Sequence, residues 1–212
     1  MKLTSNNIWF TSDTHYGHKN IVSGVTDWRN AEGQVPMDQV RNYPDIETMN
    51  EHMVENINHN VEANDWLIHL GDWSFGGFDR IQEFRDQINC NNIVLILGNH
   101  DHHIQRDVKG FSKLFKHVAN YEELKITSSS RPSNMMILCH YPIISWNQMH
   151  HGSFMLHGHQ HLRSDSKFGN GKRMDIGLCG SDEFRPYHIT EIVDLLSERQ
   201  YNSISNEHHT IK

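Results

Sequence analysis

The chain has 212 residues, enough to bury a full core as one domain spanning 1–212 and cramped for two. Its formal charge of −7 argues against sequence-independent binding along a nucleic-acid backbone, which relies on a basic surface. It does not exclude a phosphate substrate, because bound divalent cations reverse the local field. No apolar run approaches the roughly 20 residues of a membrane span, and the opening MKLTSNN lacks the apolar stretch of a signal peptide.

In chain order, Ile8–Thr11 is a short apolar run expected to be a buried strand. Residues 22–44, rich in Gly, Asn, Asp and Pro, read as a long loop insertion of the kind that serves as a lid or substrate wall. Ile46, Met49, Met53, Ile57 and Val61 recur at helical spacing behind an Asp45 cap. Trp66–Leu70 is the second strand, and Phe78, Ile81, Phe84 and Ile88 mark the second helix. Ile93–Leu97 is the third strand; Phe111, Leu114, Phe115 and Val118 repeat the helical spacing. Met135–Cys139 and Phe154–Leu156 complete the strands, and Ile189, Ile192, Val193 and Leu196 form a last helical stripe before a polar, frayed tail at 202–212. Strands alternating with helices predict an α/β domain with much parallel pairing, whose ligands bind beyond the carboxyl ends of the strands.

Cys90, Cys139 and Cys179 are odd in number, widely spaced and without a CxxC pair, so they read as free thiols of a cytoplasmic protein. The 18 histidines are the unusual feature, and their placement is more telling than their number. Each strand runs into metal-ligand residue types. Ile8–Thr11 leads to SDTHYGH, Trp66–Leu70 to GDWSFGG, Ile93–Leu97 to GNHD, Met135–Cys139 to HYP, and Phe154–Leu156 to HGHQH. Any one of these is ordinary turn chemistry. Five of them, each closing a strand, are poorly explained as independent polar turns.

In this order, Asp-x-His, Gly-Asp, Gly-Asn-His-Asp, His and Gly-His-x-His, the motifs resemble those of the calcineurin-like metallophosphoesterase superfamily. They run from residue 13 to residue 161. The strings SDTHYGHKNI, HLGDWSFGG, CHYP and LHGHQH are similar to a small bacterial and phage branch of predicted phosphoesterases. The resemblance implies a four-layer α/β/β/α sandwich. It implies that Asp13, His15 and His161 hold one metal, that Asn99, His140 and His159 hold another, and that Asp72 bridges them. It implies further that His100 stays off the metals and faces the substrate, with Asp101 orienting or polarising it.

The residue chemistry supports that implication. Imidazole nitrogen mixed with carboxylate and amide oxygen suits two borderline divalent ions, Mn first, with Fe, Co, Ni or Zn as others. A structural zinc site would use more cysteine, and a pure Mg or Ca site more oxygen. Two ions sharing a carboxylate can present a bridging hydroxide for in-line attack on phosphorus, and His100 can protonate the departing oxygen.

His18 is a candidate substrate contact, and Lys19, Arg41 and Arg163 are candidate phosphate grips, since Arg suits bidentate phosphate contact. For each of these the solvated or structural alternative stands beside the functional one. His157 reads as a hydrogen-bonding strand end, Asp65 and His69 as structural, and Asp175 as either a carboxylate orienting a ligand histidine or a turn. Trp28, Trp73 and Trp146 are core residues or walls of a pocket. His102, His103, His150 and His151 read as loop residues.

The expected activity is hydrolysis of a phosphate ester, with a phosphodiester such as a small or cyclic nucleotide ahead of a monoester. GDWSFGG lacks the Arg-containing GDxVDRG form typical of protein phosphatases in that superfamily. Nuclease action on DNA or RNA and a catalytically silent metal-binding scaffold are the alternatives. The sequence leaves the oligomeric state open.

Overall fold

The computed structural model describes residues 1–22, 41–128, 131–167, 169–181 and 183–201. Residues 23–40 of the expected loop, Trp28 among them, and the tail 202–212 lie outside the described residues.

The first sheet has the order β10 (Tyr187–His188), β2 (Ile8–Thr11), β3 (Trp66–His69), β4 (Asn92–Ile96) and β5 (His117–Ala119). Every pair in it is parallel except β10 with β2. The second sheet runs β1 (Lys2–Leu3), β6 (Tyr121–Ser128), β7 (Arg131–Cys139), β8 (Phe154–His157) and β9 (Arg173–Asp175). There the β6–β7 pair is antiparallel and the others are parallel.

The sheets face each other across one core. Ile8, Phe10, Ile68, Val94 and Ile96 meet Leu124, Ile126, Met136, Leu138, Phe154, Leu156 and Met174. Because side chains alternate along a strand, Leu67, Ile93 and Leu95 point the other way, under α1 (Ile46–Asn60) and α2 (Phe78–Gln87). β2, β3 and β4 are thus buried on both faces, which is why they read as unbroken apolar runs. Phe10 is fully buried in the shared core, where truncation to alanine costs about 3–5 kcal/mol.

Asp45 caps α1 as expected, accepting from the Thr48 amide at 2.7 Å, and Met49, Met53 and Ile57 are its buried face. α3 (His102–Arg106) and α4 (Val108–Phe111) are short. α5 (Ile189–Ser197) starts with a His188–Glu191 capping box and packs against β2, β9 and β10, closing the edge of the sandwich. The outer face of the second sheet is covered thinly: Ile143, Trp146 and Met149 lie over Ile137 and Met155.

The 111–118 helix expected from apolar spacing is a correction. α4 ends at Phe111, a turn carries Leu114, Phe115 follows it outside any element, and Val118 lies in β5. All four residues still pack on the helix-side core, so the spacing reported burial and not helix. Among the described residues no helix is long and apolar enough to cross a membrane.

Candidate metal centre

Beyond the strand ends the chain turns through backbone that few residues tolerate. Asp13, His15, Asp72, His159 and His161 all have positive φ, between 47° and 69°. Among the described residues only Gln148 and Phe184 are other non-glycines of this kind. Each left-handed residue costs on the order of 1–3 kcal/mol, a cost that gathers at functional sites.

The turns are held by hydrogen bonds that prolong the sheet. The Asp13 amide donates to the Gly71 carbonyl (2.9 Å) and the His15 amide to the Asp72 carbonyl (3.0 Å). Across the sandwich, the His159 amide donates to the Asp13 carboxylate at 3.0 Å. The contact needs Gly158, where a Cβ would overlap Ser12 Oγ and the Asp13 carboxylate. Gly98 is restricted in the same way by the Asp72 carboxylate.

Two groups of donor atoms result. In the first, Asp13 Oδ1 lies 3.2 Å from His161 Nε2 and 3.8 Å from His15 Nε2, and the two imidazole nitrogens are 3.4 Å apart. In the second, His140 Nε2 lies 3.0 Å from Asn99 Oδ1. Asp72 Oδ2 faces both groups, 3.6 Å from His15 Nε2 and 3.5 Å from His140 Nε2, while Asp72 Oδ1 accepts from the His100 amide at 2.8 Å. The His159 ring stands beside His140, with centroids 5.1 Å apart.

The donor chemistry fits cations. Donors each about 2.1 Å from one ion sit roughly 3.0–3.4 Å apart at octahedral to tetrahedral angles. His140 Nδ1 donates to the Leu70 carbonyl at 2.8 Å, so Nε2 presents a lone pair, and it faces the amide oxygen of Asn99. Two acceptors at 3.0 Å repel unless positive charge lies between them.

Charge is tuned accordingly. Burial raises the Asp13 carboxyl, but the charge and hydrogen bond of His161 lead the effects that outweigh it and hold Asp13 well below the usual carboxylate range. Burial, with Asp13 alongside, pushes Asp72 up to about 6. Burial, with His161 next, keeps His15 neutral and ready to ligate.

Behind the donors lies a second network. His69 is buried, which drops it to about 3, so it is a neutral imidazole. Its Nδ1 accepts from the Gly71 amide (3.2 Å), so Nε2 donates to Thr14 Oγ1 (2.9 Å), which donates to the Trp73 carbonyl at 2.6 Å. This chain ties the Asp-x-His turn to the Gly-Asp turn.

Two of the nominated side chains are taken up by other partners. The Asp101 carboxylate accepts from the amides of Gly98 (2.8 Å), Asp72 (2.8 Å) and Trp73 (3.0 Å), and it is spent on bracing two turns. It makes no hydrogen bond to the His100 ring, so it does not orient that imidazole directly. Arg41 is buried and turned inward: it donates to the carbonyls of Asp13 (2.8 Å) and Thr14 (3.1 Å) and to Cys179 Sγ (2.9 Å). Its donors hold a turn and do not reach for phosphate.

The other nominated residues sort clearly. His100 is half-buried, its ring 5.2 Å from that of His15, and a ring nitrogen falls within 4.8 Å of donor atoms of His15 and Asp72. His18 stacks on Phe75 at 3.9 Å and lies 5.6 Å from His15. Lys19 is exposed, and Arg163 is exposed and paired with Asp165 at 3.3 Å.

Asp175 accepts from the Gly177 and Leu162 amides and so clips the loop after His161, while buried His157 donates from Nδ1 to the Gly158 carbonyl. Asp65 is structural, bonded to the Trp9 indole at 3.0 Å. Trp73 and Trp146 are core residues. Sequence reasoning missed Phe75 and Tyr141, whose exposed rings adjoin His100 and the second donor group respectively. Each stands inside a motif, GDWSFGG or CHYP, where the ligand types drew attention first.

A sandwich of two facing sheets carries at its strand ends a carboxylate and imidazole cluster that could hold metal ions. The chain matches the calcineurin-like phosphoesterase family over residues 7–189 and belongs to it. Its chemistry is therefore hydrolysis of phosphoester bonds with divalent metal ions. The gene 66 protein of Mycobacterium phage D29 is 27% identical over 218 residues, covering 91% of this chain and 98% of that protein. The protein MJ1445 of Methanocaldococcus jannaschii is 26% identical, covering 90% and 92%. The crystal structure of AQ665 from Aquifex aeolicus, a protein of unknown function, shares the fold with a TM-score of 0.57 at 18% identity, covering 89% of this chain and 98% of that one. Phage and archaeal relatives fit the small branch that the motif strings resemble.

Proposed function

We propose that the protein is a dinuclear phosphodiesterase of the cytoplasm, acting by direct attack of water with no covalent enzyme intermediate. Asp13, His15 and His161 would hold one ion and Asn99, His140 and His159 the other, with Asp72 placed to serve both. The observation that carries this reading is Asp72: one carboxylate oxygen lies within 3.6 Å of an imidazole nitrogen in each donor group. Bound divalent ions supply charge neutralisation at the phosphate and activation of water near neutral pH.

The chain's own residues do the rest. The His100 amide fixes the second oxygen of Asp72, and the His159 amide fixes Asp13, so both carboxylates are oriented before any ligand arrives. The half-buried His100 imidazole, beside the first donor group, is the acid that protonates the leaving oxygen. Of the residues nominated to grip phosphate, Arg41 is committed to backbone carbonyls and Arg163 pairs with Asp165, while Lys19 is exposed. One such cation suits the single charge of a diester better than a monoester dianion. Mn is the first metal to try with this mixed donor set. The free cysteines support a reducing compartment.

The test is Mn-dependent hydrolysis of bis-p-nitrophenyl phosphate beside p-nitrophenyl phosphate. Diester turnover is expected to dominate. His100→Ala should lower it by roughly 10²–10⁴-fold while metal content stays unchanged. Preferred monoester cleavage would overturn the diester assignment, and metal loss in His100→Ala would overturn its off-metal role.

A further inference from the structure

Exposed aromatic rings are common on protein surfaces, and singly they mean little. Here two of them stand near the donor cluster, Phe75 beside His18 and His100, and Tyr141 beside His140 and His159. Phe75 is 41% exposed, yet its ring is not loose. It stacks on the His18 imidazole with centroids 3.9 Å apart and planes 22° apart, and it stands 5.5 Å from the His100 ring. His18 in turn lies 5.6 Å from His15, a member of the first donor group.

The backbone beneath is fixed. The Phe75 amide donates to the Tyr16 carbonyl at 2.8 Å, and Tyr16 and Ser74 form a parallel bridge. Gly17 lets the two turns approach, since a Cβ there would come within 3.3 Å of the Phe75 carbonyl. At the other group, Tyr141 is 45% exposed with its ring 5.0 Å from His140 and 4.8 Å from His159.

A flat apolar face, braced by His18 and with its ring 5.5 Å from that of His100 beside a phosphate-cleaving centre, has an obvious complement. We infer that the Phe75–His18 pair is a stacking platform for a planar aromatic base carried by the substrate, which makes nucleotides the substrate class. The inference rests on the phosphoesterase reading above for the position of the phosphate, and on Phe75 for everything else. Stacking on such a ring tolerates any base, because every base has a π face.

The experiment is calorimetric binding of AMP and of ribose 5-phosphate to the full chain with Mn present. The two ligands share the phosphate and the sugar and differ in the base. AMP is expected to bind roughly 5- to 100-fold more tightly. Phe75→Ala and Phe75→Leu should both bring AMP down to the affinity of ribose 5-phosphate. Leucine keeps apolar volume and lacks the flat face, and Phe75→Trp should restore the difference.

Equal affinities in the unaltered protein, no AMP binding at all, or an AMP advantage that survives Phe75→Leu would each overturn the platform. The two readings fail separately. Hydrolysis of the nitrophenyl ester without a base-dependent affinity keeps the activity and removes the platform. A base-dependent affinity without hydrolysis does the reverse.

Discussion

The two sheets have equal numbers of strands and unequal duties. The first, through β2, β3 and β4, is buried on both faces and joined by helices on its outer side. It delivers Asp13, His15, Asp72, Asn99 and His100 from three neighbouring parallel strands. The second is thinly covered outside and delivers His140, His159 and His161 from the turns after β7 and β8. The lesson is a division of labour: the first sheet sets both carboxylates together with His15, and the second brings three further imidazoles to them.

Asp72 is where that division can be broken most severely. Its Oδ2 faces donors from both sheets, and its Oδ1 holds the His100 amide. Asp72→Ala should therefore strip metal from both positions and lower turnover by about 10³-fold or more, equivalent to about 4 kcal/mol of barrier. His140→Ala, on the second sheet, should cost only the metal of its own group. Metal counts per chain on the two variants, by elemental analysis, decide it: equal losses would show that the first sheet has no special role.

The glycine contacts sharpen the same comparison at smaller cost. Gly158 lets the second sheet's turn lie against Asp13, and a Cβ there would strike Ser12 Oγ and the Asp13 carboxylate. Gly158→Ala should destabilise the fold by about 1–3 kcal/mol and weaken metal binding at the first group. Thermal melts in the metal-free state, with Mn titrations alongside, measure both effects. A variant with unchanged Mn affinity would mean that the His159 amide is not what orients Asp13.

The same asymmetry explains what the sequence disclosed. Strands buried on both faces leave apolar runs that end abruptly in ligands, so IWFT, WLIH and NIVLI were visible together with the motifs behind them. β6, YEELKITS, hides its inward Leu124 and Ile126 between outward charges, and a search for apolar runs passes over it. β1, β9 and β10 are two or three residues long and have no pattern to find.

At the site, residue types told which side chains were candidates for ligands. They could not tell that the Asp101 carboxylate would be consumed by three amides or the Arg41 guanidinium by two carbonyls. Those outcomes depend on which way a turn faces, and that is fixed only when the sheets meet. The same limit hid Phe75, because exposure is a tertiary property.

The subtlest expected effect lies in the buried pair Asp175 and His157, behind the second sheet's turn. Burial, with Asp13 nearby, raises the Asp175 carboxyl to about 7, while burial drops His157 to about 4. A carboxyl raised in the folded state contributes stability that is complete below about pH 4 and is lost as the pH rises through about 7. A depressed histidine does the opposite: its contribution is present above about pH 6.5 and fades as the pH falls through about 4. Between pH 5 and 8 Asp175 by itself should thus withdraw on the order of 2–4 kcal/mol from the metal-free protein, opposed below about pH 6.5 by His157, so the effect is read as the difference in pH slope between the unaltered chain and Asp175→Asn. Asp175→Asn should flatten that slope without abolishing it, because Asp72, raised to about 6, acts in the same direction. Saturating Mn should flatten it too, since a cation sharing the charge of Asp13 removes part of what holds the Asp175 proton. Melting curves at several pH values, with and without Mn, would refute this account if the metal-free slope were the same in Asp175→Asn as in the unaltered chain.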